Sequence, residues 1–343
     1  DRTLTKQSTT VGKIMLGVKM LGDEKVAIED YPEPIQKQGE ILIQIKASGI
    51  CGSEMHGYRS QSSQPFNGGH EMAGIVIDAG NSKRFKIGDH LGVHAVWGCG
   101  DCQWCDVGKY TFCDDRLTCP GTHAERIAAP EHTCLKLPKD IPFDIGVLLT
   151  GDGLGVPYHV SQRLNTNQGD VVCIIGAGPI GLGNAIIQSF FGAEVVIIDI
   201  NPYRLALAKK FGIAHTINSQ EIDPLKAVSE ITQGMLANKC IEAVGHPETL
   251  RLALKLVGKS GTVMAIGEQG DVPINLSENL IRRDITLMGS WFYHYSEYPS
   301  MLNLYRRELP IKQVITDHFP LLEAETAFSK FARGETGKVI LEP

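Results

Sequence analysis

Residues 170–200, DVVCIIGAGPIGLGNAIIQSFFGAEVVIIDI, constrain the fold more than any other stretch of the chain. An apolar, β-branched run from Val171 to Ile175 leads directly into Gly176, Gly178 and Gly181 in G-x-G-x-x-G, with Pro179 and Ile180 between the last two. In a strand–turn–helix, the first glycine permits the tight turn, the second lets the backbone approach a pyrophosphate, and the third packs helix on strand. The helix N-terminus then offers free N–H groups and a partial positive charge to the phosphates. A buried glycine turn with no ligand would give the same letters. The second strand, EVVIID, separates the readings, because it ends in Asp199, 23 positions after Gly176. A carboxylate there accepts both ribose hydroxyls of NAD and repels the 2′-phosphate of NADP, so NAD is expected over NADP. Arg204, five residues on, is either a solvated helix charge or a group that covers the adenine or meets a phosphate. Val171 to Ala193 carries no charge for 23 residues, which is long enough for a membrane span. Its five glycines, Pro179, Asn184 and Gln188, and its run into a second strand, argue against one.

The surrounding sequence repeats this rhythm. PYRLALAKKFG reads as a helix and AHTINS as a strand, and KCIEAVG, ETLRLALKLVGKSG, TVMAIG and DITLMGS continue the alternation. Strands alternating with helices imply a parallel sheet covered on both faces. The first 150 residues differ, with short β-like runs (EILIQIKASGI, MAGIVIDAG, KIGDHLGVHA, ERIAAPEHTCLKLP) broken by Gly and Pro. The class is therefore α/β, with a β-rich domain beside a doubly wound nucleotide domain, and a length of 343 residues suits two domains. The polar residues 1–10 read as a loose end. Lys and Arg number 33 against 39 Asp and Glu, with no basic block, which argues against nucleic acid as a partner and favours a small neutral or mildly polar ligand.

Residues 98–114, GCGDCQWCDVGKYTFCD, set Cys99, Cys102, Cys105 and Cys113 in Cys-x2-Cys-x2-Cys-x7-Cys. Such spacing lets the sulfurs converge on one metal, and four thiolates closing a tetrahedral shell make a structural zinc site. The alternative is a ferredoxin-like iron–sulfur cluster, whose last cysteine comes at another spacing with a proline after it. Nine cysteines in all, an odd number, and no secretory pattern in the first residues imply a reducing, cytoplasmic setting. Upstream lie GICGSEMHG with Cys51, and GGHEMAG with His70 and Glu71. Alone, the cysteine reads as a small buried residue and the histidine as a satisfied one.

GICGSE, GGHE, the four-cysteine lobe and the glycine-rich turn, in this order, resemble the zinc-dependent medium-chain alcohol dehydrogenases, most closely their polyol (sorbitol) and threonine dehydrogenase branch. The resemblance spans nearly the whole chain. It implies a GroES-like catalytic domain over residues 1–153, completed by 295–343, around a Rossmann domain at 154–294. It implies two zinc ions per chain, the catalytic one held by Cys51, His70 and Asp152 of LLTGDGLGV, with Asp144 as competitor for the third place. Glu71 is expected beside that metal, as an outer group or as a ligand when water leaves. Ser53 would take the proton of the alcohol and His56 would pass it to solvent. Glu54 stands where the family usually has Asp, oriented to hydrogen-bond the metal-binding histidine.

Trp97, His123, Trp291 and Tyr293 are candidates for the substrate wall, the competing reading being core aromatics. Residues 114–120 are shorter than the corresponding loop of relatives, which would widen the entrance. The implied activity is NAD-dependent oxidation of a secondary alcohol of a polyol, sugar derivative or amino alcohol to a ketone, by a homodimer or homotetramer that engages neither nucleic acid nor membrane. The competing functions are a zinc-free quinone or enone reductase, which needs none of these cysteines, and a nucleotide-binding regulatory protein without chemistry.

Overall fold

In the computed structural model, residues 13–64 and 68–343 are described, so the reading of residues 1–10 lies outside them. Six strands form one sheet, in the order His215–Asn218, Glu194–Asp199, Val171–Ile175, Ala237–Glu242, Val257–Ala265, Thr286–Gly289. All neighbours run parallel. Numbered along the chain this is 3-2-1-4-5-6, the Rossmann order, whose direction of winding reverses between Val171–Ile175 and Ala237–Glu242. Ligands bind in the crevice that opens at such a reversal. Val172, Cys173 and Ile174 have no exposed surface, because helices cover both faces and every second residue faces one of two apolar layers. The apolar stretch flagged as a possible membrane span resolves into the strand Val171–Ile175 and the helix Pro179–Phe190. No helix among the described residues is long and apolar enough to cross a membrane.

A seven-stranded sheet is built mainly from the first part of the chain, with Glu40–Gly49 and Glu71–Asp78 at its centre. Its strands His90–Val93, Arg126–Pro130 and Cys134–Leu137 coincide with the short β-like runs of the sequence. The chain end returns to it: Lys338–Glu342 pairs with Glu40–Gly49 on one side and Ile315–Pro320 on the other. The two bodies share one apolar core, in which Leu148 and Leu149 pack in the same cluster as Leu182 and Ile186.

The helix Asp152–Leu164 joins the bodies, and the sequence reading placed none there. Its glycines and Pro157 lower helix propensity, but packing decides: Gly155 is pressed against the Tyr293 ring, where a Cβ would come within 2.2 Å, and Gly183 makes room for Pro157.

Candidate active site

Gly176 turns with φ +100°, a conformation that L side chains rarely adopt, and a Cβ on Gly181 would stand 1.8 Å from the Gly176 carbonyl oxygen. Both positions therefore demand glycine, as the motif requires. Asp199 Oδ2 accepts the Ala177 N–H and Oδ1 the Asn201 N–H, which aims the carboxylate across the turn. Each oxygen keeps a further lone pair for a ligand. Gly178, Pro179, Asp199 and Arg204 line a cavity of about 730 Å³ whose other wall comes from the first body and includes Cys51 and Lys338. Arg204 is not a solvated helix charge: its Nε is buried with no hydrogen-bond partner among the described residues, and burial lowers its pKa against the pull of Asp199.

Cys51, His70, Glu71 and Asp152 are all buried, and one ligating atom from each lies within 4.8 Å of the others. Cys51 ends the strand-to-turn passage after Gly49, while His70 and Glu71 lie at the start of Glu71–Asp78. Asp152 is the first residue of its helix. His70 Nε2 stands 3.0 Å from Asp152 Oδ2, and Cys51 Sγ 3.5 Å from the same oxygen. Asp144 lies elsewhere, bonded to the Ile145 N–H and facing His318.

The chemistry of this set fits a divalent cation. Burial alone would lower the His70 pKa, yet Cys51 and Asp152 push it well above 6.5, so the pocket attracts positive charge. Among the described residues, Asp152 Oδ1 is buried with no hydrogen-bond partner. A thiolate, an imidazole and a carboxylate from Cys51, His70 and Asp152 are the donor types that hold a catalytic zinc.

Glu71 has partners within the protein for both carboxylate oxygens. Its Oε1 pairs with Lys338 Nζ and its Oε2 accepts the Asp152 N–H at 3.1 Å, capping the helix. Gly151 makes this approach possible, since a Cβ there would lie 2.6 Å from Glu71 Oε2. Burial would depress the Lys338 pKa, but Glu71 and Cys51 outweigh it and hold the ammonium charged. The sequence reading did not select Lys338; its only signal was a charge at the head of the apolar run Val339–Leu341.

Ser53 and His56 are exposed on the turn after Cys51, whose Gly52 and Met55 line the cavity. Glu54 departs from its expected partner: its Oε1 is 3.8 Å from His70 Nδ1, beyond hydrogen-bond reach, while its Oε2 meets His123 Nε2 at 2.8 Å.

The aromatic wall needs correction. His123 has no exposed surface and spends both ring nitrogens on Ser48 and Glu54. Tyr293 is equally buried, its hydroxyl donating to the Thr150 carbonyl and its ring 4.4 Å from His94. Trp97 packs in a core layer with Cys119. These three are core: Trp97 and His123 lie within the packing of the first body, and the chain after Thr286–Gly289 carries Tyr293 in between Gly155 and His94. Trp291 is 36% exposed, lies under the Arg116 guanidinium at 5.2 Å, and stacks edge-on against Phe292, which faces His70.

The Cys99, Cys102, Cys105 and Cys113 sulfurs also lie within 4.8 Å of one another. Backbone donors point at sulfur, as with Cys99 N–H to Cys113 Sγ at 3.4 Å, and the Cys105 amide lowers the Cys102 pKa. Four sulfurs gathered this closely suit a closed metal shell. It docks on the segment after Thr286–Gly289: Tyr110 packs on Tyr295, and Thr111 Oγ1 meets His294 Nδ1 at 3.1 Å.

A dinucleotide cradle at the winding reversal, opening onto a buried cysteine, histidine and carboxylate, defines a metal-assisted dehydrogenase. Residues 37–139 match the family described as alcohol dehydrogenase GroES-like domain, and 179–307 that described as zinc-binding dehydrogenase. The chain is 31% identical to an L-threonine 3-dehydrogenase of Bacillus licheniformis, over 97% of this chain and 99% of that one. To a sorbitol dehydrogenase of Bacillus subtilis it is 29% identical, over the same shares. The solved alcohol dehydrogenase TADH from Thermus sp. ATN1 superposes with a TM-score of 0.89 at 27% identity, covering 96% of this chain and 100% of that one. The chain belongs to the zinc-dependent medium-chain alcohol dehydrogenase family, in its polyol and threonine dehydrogenase branch. It is an oxidoreductase acting on CH–OH groups of small molecules, with the zinc and NAD(P) chemistry of that family.

Proposed function

We propose that this protein oxidises a secondary alcohol of a polyol, sugar derivative or amino alcohol to the ketone with NAD as acceptor. One zinc ion would be held by Cys51, His70 and Asp152 and a second, structural one by the four-cysteine lobe. One observation carries the reading: a single cavity has Asp199 and Cys51 in its walls, so a dinucleotide bound along it reaches the metal-ligating cluster. When bound, the zinc acidifies the substrate hydroxyl and the nicotinamide takes the hydride.

The chain supplies the rest. Cys51, His70 and Asp152 would hold the metal and leave it accessible to the substrate hydroxyl. Glu71, neutralised by Lys338, steadies Asp152 through its backbone N–H. Ser53 accepts the hydroxyl proton and His56, exposed on the same turn, releases it to solvent. The N-terminus of Pro179–Phe190 receives the pyrophosphate and the half-buried Arg204 faces the adenosine end. Asp199 selects the ribose diol over a 2′-phosphate. Trp291, the one exposed member of the aromatic set, borders the substrate side. The same reading divides the chain into a catalytic domain, 1–153 with 295–343, and a nucleotide domain, 154–294, and assembles it as a homodimer or homotetramer. The return of Ile315–Pro320 and Lys338–Glu342 to the first sheet supports that division.

The test is NADH formation by zinc-loaded protein across polyols, sugars, cyclic secondary alcohols and threonine, each with NAD and NADP. Turnover of one class with NAD is expected. Turnover with NADP alone, or cofactor binding without turnover of any class, would overturn the reading.

A further inference from the structure

We infer that His123 is a positioning residue for the metal ligands Cys51 and His70, acting through Glu54. The inference rests on the reading of Cys51, His70 and Asp152 as a metal site. Glu54 Oε1 accepts the Cys51 backbone N–H at 3.2 Å and lies 3.8 Å from His70 Nδ1, so one carboxylate stands behind two ligands. Its other oxygen is held by His123 Nε2 at 2.8 Å, and His123 Nδ1 is held in turn by Ser48 Oγ. Because a carboxylate only accepts, His123 donates from Nε2 and receives the Ser48 hydroxyl at Nδ1.

A glutamate needs this brace. It has one more rotatable bond than aspartate, and its carboxylate here is buried, with 7% of the side chain exposed. Without His123, Oε2 would lack its donor, and the free torsion would let the group leave both ligands. The brace itself is rigid. Ser48 sits in the strand Glu40–Gly49 where it pairs with Leu341, and the His123 backbone bonds to Gly68 and Val18. Gly69, the residue before His70, has φ +92°, and a Cβ there would stand 2.8 Å from the His123 ring. The His123 ring thus packs directly beneath the loop that presents His70.

His70 Nε2 faces Asp152, so Nδ1 is the nitrogen turned toward Glu54. At 3.8 Å Glu54 supplies charge and a stop to ring rotation rather than a hydrogen bond. Outer groups of this kind change metal affinity by about 10–100-fold.

The experiment uses protein loaded with cobalt(II) at both sites, reading the visible d–d bands and the release rate of each metal to a chelator. In His123→Phe, the metal at Cys51, His70 and Asp152 is expected to leave at least about tenfold faster with shifted bands, while the lobe metal is unaffected. His123→Gln, whose amide can donate to Glu54, restores most of the wild-type behaviour. Glu54→Asp, a milder change, shortens the arm away from His123 and is expected to speed release as well. Adding His123→Phe to it then gives less than the sum of the two effects. Unchanged bands and release rates in folded His123→Phe, or strict additivity with Glu54→Asp, would overturn the inference. Equal cobalt stoichiometry in wild type and Cys51→Ser would instead remove the metal reading on which it stands.

Discussion

Lys338 buries its ammonium against the Glu71 carboxylate, the two side chains being 1% and 0% exposed. One comes from the last strand of the chain and the other from the strand that follows His70, so the pair ties the C-terminal return to the metal-ligating cluster. Removing one member strands a charge in the interior. Lys338→Met is expected to cost about 3–5 kcal/mol, and Glu71→Gln added to it to recover most of the loss. Urea unfolding of the wild type and the two variants measures both.

On the proposed reading Cys51 supplies the thiolate of the metal-ligating cluster. Cys51→Ser is expected to lower kcat by about 10³-fold or more, the scale of several kcal/mol of lost Lewis-acid stabilisation. Cofactor binding, followed by quenching of protein fluorescence or enhancement of NADH emission, should persist, since Asp199 and the glycine turn are untouched. Retained turnover would remove Cys51 from the chemistry.

On the proposed reading Asp199 selects NAD over NADP. Asp199→Asn keeps the shape and deletes the charge, so KM for NAD should rise about tenfold, while the preference for NAD over NADP narrows. Steady-state kinetics with both cofactors reads this directly.

Acid should loosen the junction between the cysteine lobe and the segment after Thr286–Gly289. Burial, then the neighbouring His159, holds the His294 pKa at about 4. The fold therefore favours neutral His294: its contribution is complete above the unfolded value of about 6.5 and is lost as pH falls from there toward 4. Melting temperature should drop more between pH 7.5 and 5 in wild type than in His294→Asn. Equal slopes would mean that His294 does not titrate in this window.

The four-cysteine lobe should matter to stability before chemistry. Cys105→Ser opens the closed shell and is expected to lower the melting temperature and release one metal per chain, while metal at Cys51, His70 and Asp152 persists. Metal analysis beside a melting curve separates the two sites.

Much of this protein is legible in the sequence where the physical signal is local. The strand Val171–Ile175, the glycine turn and the strand ending at Asp199 lie where their letters place them, because turn sterics and apolar runs act over a few residues. The Cys99 to Cys113 spacing likewise contains its own geometry. The helix Asp152–Leu164 was hidden, since its glycines and Pro157 have low intrinsic propensity and only the facing Tyr293, Leu148 and Gly183 reveal why they are there. The aromatic residues misled for a related reason. An aromatic run has no direction until the chain is folded, and the fold buries Tyr293 but exposes Trp291.

The sequence by itself pointed to the nucleotide cradle and the cysteine lobe through short-range constraints on turn and spacing, and to Cys51 and His70 only through the family resemblance of the whole chain. Tertiary structure alone decided the partners that come from far along the chain: Lys338 against Glu71, 267 residues apart, and His123 against Glu54, 69 residues apart. No local pattern encodes such pairs. They exist because burying a carboxylate requires a counter-charge or a donor, and only the packed sheets bring one within reach.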